Sequence, residues 1–181
     1  MDKIKTVIEA SYLPTRDAAT LLNKEYGWQL DPELSRMDTK VFFDPQTNQA
    51  QILHRGSKRV VDDWLKTNLP LAFGSKDTER FKYAKDISQK AQEKYGNVHQ
   101  WGHSLGGGLA LANESKNGVT AVNPAIALPD IGKRYMESTE IVKKSLDPVS
   151  ILSDLTFGGK RTTQASQSIN PIAEHSYEAF Y

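Results

Sequence analysis

A glycine-flanked serine is the residue of this chain best suited to do chemistry. Ser104 lies within Gly102-His103-Ser104-Leu105-Gly106-Gly107, between a strand-like segment and an apolar, helix-like segment. At a sharp turn from a strand into a helix, a serine hydroxyl can act as a nucleophile, and backbone N–H groups at the helix start can stabilise an oxyanion. Positions two residues away on either side approach so closely that a Cβ atom would clash. We therefore predict Ser104 as a nucleophile and Gly102 and Gly106 as the glycines of its turn.

A serine nucleophile needs a base, and the order of residues along the chain selects one. Where this turn carries a catalytic triad, the order is Ser, then Asp or Glu, then His. Only one of the four histidines, His175, follows Ser104. We predict His175 as the base and interpret His54, His99 and His103 as structural residues.

The acid that orients the base must be an aspartate or glutamate between Ser104 and His175. Asp147 is favoured because it follows a β-prone segment and precedes Pro148-Val149, which places it where a strand ends. Asp130 is interpreted as a residue of a surface loop or a helix start, where an N-cap role explains it. Asp154 remains the competing candidate for the acid.

The remaining segments predict the elements that position these residues. Residues 1–38 look mainly helical, with Thr15 as the N-cap of one helix and Gly27 as its end. Strand-like runs at 40–43 and 50–54, joined by turn residues, predict a hairpin. The following segments alternate between helix and strand: helix to Gly96, strand 97–101, helix from 105 to about 112, strand 118–123. This alternation predicts a single α/β domain over residues 1–181, with a mostly parallel central sheet flanked by helices.

Composition excludes several other classes of protein. The chain has 181 residues, a formal net charge of +1 and no cysteine. We therefore expect no nucleic-acid partner, no thiolate metal site and no cysteine nucleophile, and no two histidines have a metal-ligand spacing. We expect no cofactor. The chain shows neither a signal peptide nor a membrane-spanning run, so we expect a soluble protein whose localisation is unknown.

Four stretches resemble the class 3, fungal-type lipase family of the α/β-hydrolases. The stretches are residues 54–57 with 63–68, the Gly102–Gly107 turn, Asn123-Pro124 with Asp147-Pro148-Val149, and His175-Ser176-Tyr177. Order and spacing are shared as well as motifs, and the resemblance spans residues 40–181. By this resemblance Ser57 and Leu105 are the oxyanion-hole residues. The resemblance also implies that Arg55 and Asp63 are a structural pair; a plain surface ion pair explains them equally well.

The resemblance also implies a lid helix between Lys58 and Leu71. Its apolar positions would be Val60, Val61, Trp64, Leu65 and Leu69. Two interpretations stay open: a mobile lid that makes transient contact with a membrane or lipid surface, or a helix fixed on the core beside an open site. The shortness of the chain favours the fixed helix.

The predicted function is a serine carboxylester hydrolase of the lipase or esterase kind. The substrate would be an acyl ester or lipid, cleaved through the triad of Ser104, His175 and Asp147 and an acyl-enzyme. Two alternatives remain: a phospholipase A1 acting on membrane lipids, and a hydrolase fold kept as a structural or interaction module without activity. The sequence does not specify the oligomeric state.

Overall fold

A mixed seven-stranded sheet forms the centre of the fold, and its strands lie in the order of the chain. The computed structural model describes residues 2–57, 79–147, 149–165 and 175. The strands are β1 (Gln29–Leu30), β2 (Thr39–Asp44), β3 (Gln49–His54), β4 (Val98–His103), β5 (Val119–Val122), β6 (Arg134–Lys144) and β7 (Phe157–Gln164). Strands β1 to β3 pair antiparallel, whereas β3 to β7 pair parallel. The carboxyl ends of β3 to β6 therefore meet at one edge of the sheet.

Helices cover both faces of this sheet. The described helices are α1 (Lys3–Tyr12), α2 (Thr15–Tyr26), α3 (Glu79–Tyr95) and α4 (Leu105–Ala112). Val7 of α1 and Leu22 of α2 pack with Leu53 and Trp101 on one face. On the opposite face α3 packs against β2, β3 and β4, and α4 packs against β5 and β6. The predicted α/β fold, with its mostly parallel sheet flanked by helices, is confirmed.

The N-terminal segment contains two helices with different signals at their ends. Asp2 caps α1 through a hydrogen bond of 3.0 Å from the backbone N–H of Ile4 to its carboxylate. Gly27 ends α2 in the left-handed conformation, with φ of 71°, as predicted. The expectation that Thr15 caps α2 is wrong, because Thr15 is already the first helical residue and Pro14 precedes it. Proline supplies no side-chain cap but has the φ value that a helix start requires.

The hairpin and the long helix follow the sequence pattern, whereas the polar tail does not. Strands β2 and β3 form the predicted hairpin, and α3 ends at Gly96, whose φ is 74°. Residues 153–167 are polar and show neither a helix nor a strand period in the sequence, yet residues 157–164 form β7 alongside β6. Most β7 side chains are exposed or half-buried, so this strand lacks the apolar run by which buried strands are recognised.

Candidate active site

Ser104 occupies the turn between β4 and α4 in a strained backbone conformation. Its φ is 58° and its ψ is −125°, a region that residues other than glycine rarely adopt. Three backbone hydrogen bonds hold it there. Its N–H donates to the carbonyl of Val122 at 3.0 Å, and its carbonyl accepts from the N–H groups of Ala125 at 2.9 Å and Gly108 at 3.1 Å. The ends of β4 and β5 and the first turn of α4 thus impose the strain on the serine.

The two predicted turn glycines lie where no side chain fits. A Cβ atom on Gly102 would overlap the backbone carbonyl of Gly106. A Cβ atom on Gly106 would in turn overlap the backbone carbonyl of His54, at the end of β3. Both contacts are with backbone, which cannot move aside as a flexible side chain could. The turn is therefore packed against the loop that follows β3.

The structure brings Ser104, His175 and Asp147 together. The Nε2 atom of His175 lies 2.7 Å from Oγ of Ser104, and its Nδ1 atom lies 2.8 Å from Oδ1 of Asp147. These separations are ordinary hydrogen-bond distances. All three residues are buried, with 2–3% of their surface exposed.

The surroundings of Asp147 determine which ring nitrogen of His175 carries the proton. The backbone N–H of Ser150 donates to Oδ2 of Asp147 at 2.9 Å, and that of Val149 donates to Oδ1 at 3.3 Å. An ionised carboxylate only accepts hydrogen bonds, so Nδ1 of His175 must donate to it. The Nε2 atom is then left as an acceptor for the hydroxyl proton of Ser104. This arrangement can move a proton from Ser104 to His175.

The other two candidate aspartates lie elsewhere. Asp154 forms an ion pair with Lys143 on the surface. Asp130 ends a short 3₁₀ helix, Leu128–Asp130, and is 5% exposed. The expected N-cap role of Asp130 is wrong, because Ala127 is the N-cap of this helix and Asp130 is its last residue. Its neighbours Leu128 and Ile131 are exposed, as expected for a surface loop, whereas Asp130 itself is buried.

Two of the remaining histidines are hydrogen-bonded to side chains of neighbouring strands. His54 at the end of β3 is held by Gln100, whose Oε1 atom lies 2.7 Å from Nε2, and burial lowers the pKa of His54 to about 4. His99 contacts Thr120 at 3.0 Å, and burial lowers its pKa to about 4 as well. Both stay neutral near pH 7. The third, His103, is the last residue of β4 and contacts the backbone of His175.

The predicted oxyanion loop lies against the turn that carries Ser104. A Cβ atom on Gly56 would stand 2.8 Å from the carbonyl oxygen of His103, so the two backbones are in close contact. Ser57 follows Gly56, and its hydroxyl lies 3.5 Å from the guanidinium of Arg80. Arg80 also donates to the backbone carbonyl of Arg55. Sequence reasoning missed Arg80, because an arginine at the start of α3 carries no motif.

Arg55 forms an ion pair with Asp38 at 3.4 Å. The expected partner Asp63, and the whole predicted lid segment from Lys58 to Leu71, lie outside the described residues. Within the described ranges no group of acidic and histidine side chains could hold a metal ion. None of the described helices has the length and apolar character to cross a membrane.

The chain is similar to solved structures of lipases. The Lip2 lipase of Yarrowia lipolytica aligns with a TM-score of 0.50 and 16% identity, over 82% of this chain and 73% of that one. The triacylglyceride lipase of Rhizomucor miehei aligns at 0.49 and 14%, over 80% and 71% of the two chains. The triacylglycerol lipase of Penicillium expansum aligns at 0.46 and 15%, over 91% and 79%. The likeness to Lip2 confirms the resemblance to the fungal-type lipases at the level of the fold.

A family model matches more directly than any single protein. No curated protein sequence is significantly similar to this chain. The model of the phospholipase-like family described as the Tle-like phospholipase domain matches residues 10–125, which is well over half of the chain. Those residues include α2, the hairpin, Ser104 and its turn, and they carry a lipase- or phospholipase-like hydrolase fold. The chain belongs to the Tle-like phospholipase domain family.

Proposed function

We propose that this chain is a serine carboxylester hydrolase that cleaves acyl esters of lipids. The observation that carries the proposal is the buried contact of 2.7 Å between Oγ of Ser104 and Nε2 of His175, on a serine held at φ of 58°. A strained serine that is bonded to a histidine, itself bonded to a buried carboxylate, is the arrangement that activates a hydroxyl for acyl transfer. The hydrolase fold of the family supports the same reaction class.

In the proposed reaction Ser104 attacks the carbonyl carbon of the ester, and His175 accepts the hydroxyl proton at Nε2. Asp147 keeps Nδ1 of His175 protonated and stabilises the imidazolium ion that forms. His175 then gives the proton to the leaving alcohol, which leaves an acyl group on Ser104. A water molecule activated by His175 releases the acid and restores the enzyme.

The oxyanion of each tetrahedral intermediate would be bound by the backbone N–H groups of Ser57 and Leu105 and by the hydroxyl of Ser57. Leu105 is the first residue of α4, where N–H groups have no partner within the helix. The contact of Gly56 with the backbone of His103 supports a place for Ser57 beside the same turn. Donors fixed in this way need not reorganise when the charge develops, which is why they lower the barrier.

The proposed substrate is a lipid ester, and a phospholipid is the second candidate. The description of the family as phospholipase-like favours the second, with cleavage at an acyl ester by the same three residues. Either substrate is held in an interface, so we propose that the enzyme makes transient contact with a lipid surface. We also propose that residues 1–181 act as one domain, because α1 packs on the strands that carry the turn and Asp147.

The test is hydrolysis of p-nitrophenyl esters of increasing chain length and of phospholipid vesicles, with the Ser104→Ala variant as the control. We expect hydrolysis by the unchanged chain and loss of it in Ser104→Ala. Fatty acid released from vesicles and lysophospholipid formed in equal amount would favour the phospholipase. Equal rates in both proteins, or no hydrolysis of any ester, would contradict the proposal and favour a non-catalytic interaction module.

A further inference from the structure

The backbone of His175 is held by two buried side chains that the proposed reaction does not use. The Nε2 atom of His103 lies 2.7 Å from the backbone carbonyl oxygen of His175, and Nδ2 of Asn123 lies 3.5 Å from the same oxygen. Both side chains are buried, His103 at the end of β4 and Asn123 directly after β5. Because a carbonyl oxygen only accepts hydrogen bonds, Nε2 of His103 must carry a proton and donate it.

The hydroxyl of Tyr12 occupies the other ring nitrogen of His103. It lies 2.7 Å from Nδ1, which accepts its proton because the Nε2 atom already carries one. Tyr12 is the last residue of α1, and the preceding residue is anchored as well. The ammonium group of Lys40, in β2, donates to the backbone carbonyl of Ser11 at 2.7 Å. The end of α1 is thereby fixed to the sheet and in turn fixes the tautomer of His103.

Asn123 connects the same carbonyl to the strand that leads to Asp147. Its φ is 41°, its Oδ1 atom accepts the backbone N–H of Lys144 at 2.9 Å, and its own N–H donates to the carbonyl of Val142 at 2.8 Å. These contacts bind Asn123 to the last residues of β6, three residues before Asp147. The main chain of His175 and the carboxylate that orients its ring therefore share one rigid support.

The neutral state of His103 also suits a residue that lies beside His175. Its ring lies 5.1 Å from the ring of His175, measured between centroids. Burial first, and then the neighbouring His175, lowers the pKa of His103 to about 3. A second imidazolium ion at this distance would oppose proton uptake by His175. A neutral His103 donates its hydrogen bond without that penalty.

We propose that Tyr12 and His103 are positioning residues that hold the main chain of His175, so that Nε2 of its ring stays in line with Ser104. The proposal rests on the function proposed above. Through Tyr12, helix α1 would help to fix the geometry of the active site. A displacement of about 1 Å from a reactive geometry can cost roughly 100-fold in rate, so a group that touches no substrate can still control turnover.

The variants separate the hydrogen bonds from the packing. His103→Leu removes the donor to His175, whereas His103→Gln keeps an N–H group near the place of Nε2. Tyr12→Phe removes only the hydroxyl that fixes the tautomer. Tyr26→Phe is the matched control, because the buried hydroxyl of Tyr26 at the end of α2 has no partner among the described residues.

We expect a fall in kcat with little change in KM for a short soluble ester, since the substrate contacts are untouched. The fall should be about 100-fold in His103→Leu, smaller in His103→Gln and Tyr12→Phe, and absent in Tyr26→Phe. Adding Tyr12→Phe to His103→Leu should cost nothing more, because Tyr12 acts through His103. Full activity in Tyr12→Phe and His103→Leu, or losses that simply multiply in the double variant, would overturn the proposed positioning role of Tyr12 and His103.

Spectra of the 15N-histidine-labelled protein provide a readout that needs no substrate. The unchanged chain should show His103 as one fixed tautomer with its proton on Nε2, and Tyr12→Phe should shift or broaden the ring signals of His175. If these signals respond although no ester is hydrolysed, the proposed function fails and the positioning role stands. If esters are hydrolysed but neither kcat nor the His175 signals change in Tyr12→Phe, the positioning role fails and the function stands.

Discussion

Asp147 directs Oδ1 at the imidazole of His175 from 2.8 Å, whereas the carboxylate of Asp154 forms an ion pair with Lys143 at the surface. The two acids lie only seven residues apart in the chain: Asp147 precedes the short 3₁₀ helix Ser150–Leu155, and Asp154 lies within it. The end of β6 faces the same sheet edge as the end of β4, which carries Ser104. Asp147 reaches the histidine because it lies only three residues after the end of β6.

The first prediction distinguishes these two acids. Asp147→Asn should lower kcat by roughly 10,000-fold, because an amide cannot hold Nδ1 of His175 protonated and favours the wrong tautomer. Asp154→Asn should leave kcat unchanged, since it removes only a surface ion pair. The measurement is steady-state hydrolysis of a soluble ester by both variants. A large loss in Asp154→Asn and none in Asp147→Asn would reverse the assignment.

The second prediction concerns the proposed oxyanion hole. Ser57→Ala should lower kcat, since loss of one donor to the oxyanion typically costs roughly 100- to 1000-fold, while the melting temperature should change little. Ser138→Ala, at an exposed position of β6, is the control and should behave as the unchanged chain. An unchanged turnover in Ser57→Ala would mean that the hydroxyl contributes nothing and that backbone N–H groups alone bind the oxyanion.

A third prediction uses the strain at the nucleophile. Ser104→Gly and Ser104→Ala both remove the hydroxyl and should both be inactive, but only glycine adopts φ of 58° and ψ of −125° without strain. Strain of this kind costs about 1–3 kcal/mol, and glycine loses part of that gain through its more flexible unfolded state. We expect Ser104→Gly to be about 1 kcal/mol more stable than Ser104→Ala in urea unfolding. Equal stability would show that the turn relaxes without the hydroxyl.

The fourth prediction follows from the buried lysine of β2. Burial lowers the pKa of Lys40 to about 8, against 10.5 for an unperturbed lysine. Between these pH values the unfolded chain binds more protons than the folded one, so stability rises with pH across this window. Below about pH 8 the full cost of burying the ammonium ion is present; above about 10.5 it is gone.

Lys40→Met isolates this effect, because methionine is similar in length and does not titrate. The free energy of unfolding of the unchanged chain, relative to Lys40→Met, should rise by up to about 3 kcal/mol between pH 7 and pH 10.5. Urea unfolding of both proteins at several pH values measures it. A difference that stays flat with pH would show that the carbonyls of Ser11 and Met37, which accept from Nζ, compensate the charge fully.

Local patterns predicted much of this fold. The hairpin, α3 with its stop at Gly96, the turn around Ser104 and the strand that follows α4 each carry a local signal in the sequence. Such elements leave a period or a glycine in the sequence. Strand β7 left no signal, because it is stabilised by pairing with β6 and not by burial of its own side chains.

By itself, the sequence determined the candidate nucleophile and its base, since one serine lies between turn glycines and one histidine follows it. It favoured Asp147 as the acid, with Asp154 as the competing candidate, and interpreted His103 as a structural residue. Only the tertiary structure decided which aspartate faces His175, and that His103 joins Tyr12 of α1 to the backbone of His175. These partners lie between 28 and 91 residues apart in the chain. A hydrogen bond over such a separation depends on how parallel strand ends converge at one sheet edge, and no local pattern of residues encodes that convergence.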